Sequence, residues 1–200
     1  GSMDSGASYV NAGYLTPSHI IPLAAPGVMQ QGIKWMFSSK SPLYIKPRLN
    51  ADFLKWTMAF NNSCSEKNVS KAIPAIRDIN LLSRDLYSDI RAEENFNFQL
   101  KKDGLLMMCK TEHMLEEEAH VLALANKEGL PARMLSAEEV QQKMPNADLD
   151  IKGAAFYECD HHTTPGEFME ELKTLLQAKG VQFVKNEKVT DFDTSSGTLS

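Results

Sequence analysis

Nine prolines are spread unevenly along this chain of 200 residues. Pro17, Pro22, Pro26, Pro42 and Pro47 all fall between residues 14 and 50. Proline fixes φ, removes a backbone donor and restricts the residue before it, so most of this stretch must run extended or turn. The prolines pause between Gly27 and Ser38, where Val28, Met29, Ile33, Trp35, Met36 and Phe37 predict a short helix with a broad apolar face. Beyond residue 50 the texture changes to regular elements.

A second helix is expected over Ala51–Cys64, crowded by Phe53, Leu54, Trp56, Met58 and Phe60. Ile76, Ile79, Leu82, Leu86 and Ile90 follow helical spacing over Ala75–Glu93. Pro74 fits the first turn of that helix and predicts a break from residues 66–71. Asn97–Lys101 and Leu105–Lys110 read as strands around the turn signal Lys102-Asp103-Gly104. Glu112–Glu128 reads as a helix stopped by Gly129. Arg133–Leu135 is a short strand, Ser136 to Glu139 forms a capping box, and Gly153–Cys159 is another strand. Thr164-Pro165-Gly166-Glu167 combines a cap, a first-turn proline and a boxed glutamate, and Gly180 ends the helix it opens. Val181–Val184 and Lys188–Phe192 read as two strands or one interrupted strand, with a turn over 194–198 and a returning strand from Leu199. The fold class expected is α+β, with a mixed or antiparallel sheet and packed helices.

Composition narrows the function classes. A net charge of −5 argues against a nucleic-acid-binding domain, which would be basic. Cys64, Cys109 and Cys159 are odd in number and far apart, so neither a disulfide framework nor a zinc knuckle is expected. No apolar run is long enough for a membrane span. No two of the 11 glycines are spaced G-x-G, so the usual pyrophosphate loop is missing. Cys159-Asp160-His161-His162 invites a metal reading, but adjacent histidines on an extended segment point opposite ways, and no metal site is predicted. Glu116-Glu117-Glu118 reads as a solvated helix face, as do Asp78, Asp85 and Asp89. Trp35, Phe37, Trp56 and Phe60 read as packing rather than a substrate pocket. Gly1-Ser2-Met3 reads as an expression scar.

Residues 7–17, Ala-Ser-Tyr-Val-Asn-Ala-Gly-Tyr-Leu-Thr-Pro, resemble the S-x-x-N-A-G-x-x-x-P segment of D-amino acid dehydrogenases, which belong to the FAD-dependent D-amino acid oxidase superfamily. The likeness continues through Ala25-Pro26-Gly27, Ile33-Lys34-Trp35, Ser41-Pro42-Leu43-Tyr44-Ile45-Lys46-Pro47-Arg48 and Phe53-Leu54-Lys55-Trp56. It resumes at Gly104-Leu105-Leu106, at Asp160 to Pro165, and at Gly180-Val181-Gln182-Phe183 with Val189. In that family the glycine loop and a ribose-binding acid precede the N-A-G segment, so the chain is expected to be an internal fragment.

The resemblance implies a parent enzyme that holds FAD and oxidises a D-amino acid to a 2-oxo acid and ammonia. The electron acceptor would be a quinone or oxygen, and the setting cytoplasmic, with peripheral association at the inner face of a membrane. By position, Ser8, Asn11, Ala12 and Gly13 would lie near the flavin or its phosphates, and the Val189 backbone near adenine. Tyr14 and His19 are substrate-pocket candidates. The implied partition is a flavin-proximal arm over 1–26, a substrate or cap domain over 27–158 and part of an FAD-binding domain over 159–200. The residues that bind the substrate carboxylate lie outside this stretch, and the chain alone is expected to be inactive. Rival readings are a glycine oxidase, a proline or hydroxyproline dehydrogenase subunit, and a non-catalytic interaction module.

Overall fold

The computed structural model describes residues 6–26, 48, 50–190, 192–193 and 198–199. The helix expected over 27–38 and the Trp35–Phe37 pair lie outside them. The chain divides into two compact units. The first comprises Gly1–Tyr14, Ser88–Lys101 and His162–Ser200; the second comprises Leu15–Tyr87 and Lys102–His161.

The second unit is built on a three-stranded antiparallel sheet of β3 (Leu105–Cys109), β4 (Ala132–Ser136) and β5 (Gly153–Tyr157), with β5 central. Leu105 and Ala132 both pair with Tyr157, and Cys109 and Ser136 both pair with Gly153. A strand paired on both edges and covered on both faces needs small or apolar residues throughout, and β5 is Gly-Ala-Ala-Phe-Tyr. Gly153 has no room for a Cβ, which would lie 2.7 Å from the Leu135 carbonyl oxygen.

Helix α3 (Glu112–Lys127) covers one face, burying Leu122 and Ala125 with Leu130, Ala155 and Tyr157. Helix α4 (Ala137–Lys143) covers the other, packing Val140 with Leu135 and Ala154. Its Ser136–Glu139 capping box forms as expected, and Thr111 caps α3.

Two more helices precede the sheet, α1 (Ala51–Ser63) and α2 (Glu66–Glu93). The expected break at Pro74 does not occur, and α2 runs through it for 28 residues. An interior proline costs about 3 kcal/mol. Here Ile73 is buried, and Val69 and Leu81 pack on the same cluster, which offsets that cost. The stripe expected to face the core behaves differently: Ile79, Leu82 and Leu86 are exposed. Helix α1 has no buried residue; its Phe53, Trp56 and Phe60 rings stack along one side at 5.9 and 5.4 Å.

In the first unit, β6 (His161–Thr163) lies between β1 (Tyr14–Leu15) and β2 (Leu100–Lys101). The expected hairpin across Lys102-Asp103-Gly104 is therefore absent: β2 pairs with β6 and β3 with β5. Gly104 does take the turn conformation, at φ +80°. Helix α5 (Pro165–Ala178) packs Phe168 edge-on to the buried Phe98, centroids 5.2 Å apart. Thr164 stands at its N-cap without a side-chain bond, and Glu167 does not close the expected box. Glu167 accepts from the Gln99 N–H and Glu171 from the Asn97 N–H, so the helix's acids serve the 97–99 segment. Residues 181–190 carry no strand, and Val181, Val184 and Val189 are exposed. A strand is held by a ladder, and this stretch has none among the described residues. The returning pair does form, as β7 (Phe192–Asp193) against β8 (Thr198–Leu199).

Candidate functional site

The residues singled out by sequence fall in both units, and each unit has its own geometry. In the first, residues 6–12 wind into turns. Asn11 spends its amide locally: Nδ2 donates to the Ala7 and Ser8 carbonyls, and Oδ1 accepts the Gly13 N–H at 2.8 Å. This is the Asx-type closure that suits asparagine to turns. Gly13 is buried at φ +71°, and its carbonyl accepts the Thr163 N–H at 2.8 Å. A Cβ there would stand 2.0 Å from the Thr163 carbonyl oxygen. The glycine is thus demanded by the close crossing with β6. Ser8, Asn11 and Ala12 are exposed, and Val189 is more than half exposed. Tyr14 is exposed with its ring edge-on to His162 at 5.6 Å.

In the second unit the arm passes Ser18 and His19. Ser18 donates twice to Asp160, from its N–H at 3.0 Å and from Oγ at 2.6 Å. Asp160 is fully buried, and Cys159 Sγ adds a third, weaker donor at 3.5 Å. A buried carboxylate is tolerable only when its lone pairs are met in this way. Burial first, and then the Asp160 charge, push the Cys159 thiol up to about 12. His161 is the one described residue with a buried side-chain nitrogen lacking a partner, Nδ1. Burial, and then Arg84 and Lys102, hold its imidazole below the usual histidine value.

Beside this clasp is a cavity of about 210 Å³, lined by Ser18–Ile21 of the arm, Met107 of β3, Glu118 and Val121 of α3, and Tyr157 of β5. The Tyr157 hydroxyl donates to Glu118 Oε1 at 2.6 Å. Burial, reinforced by Glu118, raises the phenol well above its ordinary value, so it remains a donor. Glu118 was expected on a solvated face with Glu116 and Glu117. Those two are exposed, but Glu118 turns to the sheet because the buried hydroxyl of Tyr157 needs an acceptor.

Sequence reasoning placed His19 near a pocket but missed Ser18, Asp160, Glu118 and Tyr157. The available signal was Asp160, an acid between a small-apolar strand and a capped helix. Among the described residues, no three His, Cys, Asp or Glu side chains come together as a metal site.

The family model described as FAD dependent oxidoreductase matches residues 1–199, and the chain belongs to that family, whose cofactor is FAD. More particularly, it is similar to D-amino acid dehydrogenases. It is 31% identical to that of Helicobacter pylori over 189 residues, covering 94% of this chain and 45% of that one. The enzyme of Neisseria meningitidis serogroup C is 28% identical, with 93% and 45% covered. The chain thus spans a little under half the length of these relatives. Among solved structures, the glycine oxidase of Geobacillus kaustophilus superposes with a TM-score of 0.53 at 18% identity, covering 86% of this chain and 34% of that one. The L-alpha-glycerophosphate oxidase of Mycoplasma pneumoniae superposes at 0.55 and 16%, covering 94% and 36%. These two likenesses concern the fold, an α+β arrangement found in flavin oxidoreductases.

Proposed function

We propose that this chain is part of an FAD-dependent enzyme that oxidises D-amino acids to 2-oxo acids and ammonia. The observation that carries the reading is likeness to D-amino acid dehydrogenases over 94% of the chain. The first unit is assigned to the flavin side of the enzyme and the second to the substrate side; residues 27–158 lie mostly in the latter.

The described residues fit one flank of a flavin nucleotide. Because Asn11 satisfies its own turn, the arm presents Ser8 and Ala12 as small, exposed positions where a flat ring could approach closely. Gly13 contributes by letting the arm lie against Thr163, since the space of its missing Cβ is already filled. Val189, exposed and outside any ladder, keeps its backbone open for adenine. The pyrophosphate cradle is not supplied by these residues, because the chain holds no G-x-G-x-x-G.

When bound, FAD would supply the two-electron oxidation at the substrate α-carbon. The chain's own residues orient and enclose: Asn11 and Gly13 set the path of the arm, and the exposed Tyr14 faces the amino acid. The substrate is oxidised to its imine, which water cleaves to the 2-oxo acid and ammonia. A quinone or oxygen would then take the electrons, and a quinone would bring the enzyme to the inner face of a membrane. No helix among the described residues is long and apolar enough to cross one.

The test is a substrate screen of the full-length parent, loaded with FAD, using an artificial electron acceptor. Turnover of D-alanine or D-proline with no turnover of their L forms is expected. Oxidation of the L forms, or of glycine alone, would overturn the assignment.

A further inference from the structure

We propose that the cavity in the second unit binds a small apolar primary ammonium ion lacking a carboxylate, with Glu118 as its counter-charge. Size sets the first limit. At about 210 Å³ the cavity is below the roughly 300 Å³ at which pockets for drug-sized ligands begin. The walls set the second: Ile20, Ile21, Met107 and Val121 offer aliphatic surface to a short hydrocarbon chain.

The polar atoms set the third limit, and it is the most selective. The single Ser18 hydroxyl proton goes to Asp160 at 2.6 Å. Ser18 Oγ, 3.2 Å from His19 Nδ1, has no proton left to offer it, so the hydrogen bond between them runs from Nδ1 to Oγ. The Tyr157 proton goes to Glu118 Oε1, leaving Oε2 with no partner among the described residues. The side-chain capacity left over beside the aliphatic wall is the second carboxylate oxygen of Glu118. A ligand that satisfies it best donates and carries positive charge. Among the described residues, no lysine or arginine lines the cavity. The carboxylate of an α-amino acid, two bonds from its ammonium, would meet the Glu118 charge with nothing to offset it. The cavity therefore selects an amine over the amino acid of the same side chain.

This inference needs neither flavin nor turnover, so it stands or falls apart from the reading above. The test is a titration of the 200-residue chain followed by methyl NMR of Ile20, Ile21, Met107 and Val121, using 3-methylbutylammonium, 3-methylbutan-1-ol and both enantiomers of leucine. Saturable shifts are expected with the amine in the millimolar range, and binding at least ~10-fold weaker with the alcohol and with leucine, the difference a charge-assisted hydrogen bond supplies. Glu118→Gln keeps an acceptor for Tyr157 and is expected to weaken the amine ~10-fold without moving the alcohol. Ile21→Trp, at a half-exposed position, is expected to fill the space and abolish both. Absence of saturable shifts with the amine, equal affinity for alcohol and amine, leucine as tight as the amine, or an unchanged Glu118→Gln protein would each overturn it.

Discussion

The Ser18–Asp160 clasp ties two segments separated by 142 positions in the chain, and its strength can be isolated by a double-mutant cycle. Asp160→Asn keeps the shape and one acceptor for the Ser18 N–H at 3.0 Å, and replaces the oxygen that receives Ser18 Oγ at 2.6 Å. A hydrogen bond to a charged group contributes roughly 1.5–3 kcal/mol, against about 1 kcal/mol for a neutral one. The asparagine should therefore cost about 1–2 kcal/mol. Ser18→Ala removes the hydroxyl donor and leaves one lobe of a fully buried carboxylate unmet, at about 2–3 kcal/mol. In the double variant the amide no longer faces the hydroxyl, and the two losses should overlap by about 1–2 kcal/mol. Urea denaturation followed by far-UV circular dichroism reads each corner of the cycle, and hydrogen exchange at the Ser18 amide localises the change. A coupling near zero, or Ser18 exchange that follows only global unfolding in all four proteins, would refute the clasp as an independent tether.

Three further outcomes are expected. Gly13→Ala places a methyl where the Thr163 carbonyl lies and forces an L residue to φ +71°; a loss of at least ~1–2 kcal/mol is expected, read as faster exchange of the Thr163 amide. His161 has its folded-state proton affinity depressed, so the unfolded chain binds the proton more readily. Its contribution is present above the unfolded value near 6.5 and lost as pH falls below it toward the folded value. The fall in urea midpoint between pH 7.5 and 5.5 should accordingly shrink in His161→Asn. In limited labelling with iodoacetamide at pH 8, mass spectrometry should find Cys64 modified before Cys109 and Cys159, which are buried and whose thiols are shifted up. Equal labelling of all three would contradict the packing described.

Local signals were legible wherever the chain answered them locally. The Ser136–Glu139 box and the positive φ of Gly129 and Gly180 follow from residues within one turn of each other. The failures came from partners distant in sequence. Glu167 carries the pattern of a capping box, yet its carboxylate goes to Gln99, 68 positions away. Pro74 reads as a boundary until Ile73 is seen buried against a sheet that forms later in the chain. The Asp-Gly turn is real, but the strands on either side of it join different sheets. At the site, the N-A-G segment was visible as a motif, while Asp160 was hidden among histidines. Its role rests on a serine near the other end of the chain, and no periodicity reports that. Glu118 was concealed for the same reason: one of three adjacent glutamates is singled out only by a tyrosine on another element.

The four junctions at 14/15, 87/88, 101/102 and 161/162 bear on how the protein could be dissected. Neither half corresponds to a continuous stretch of gene. A deletion series trimmed from either terminus would remove parts of both before completing the removal of one. Isolating the half built on β3, β5 and β4 would instead require removing 1–14 and 162–200, excising 88–101 and bridging Tyr87 to Lys102 with a new loop. Recombination between relatives faces the same geography: a single exchange point inside 88–101 would exchange incomplete portions of two cores, whereas paired exchanges at the junctions would carry a core across whole.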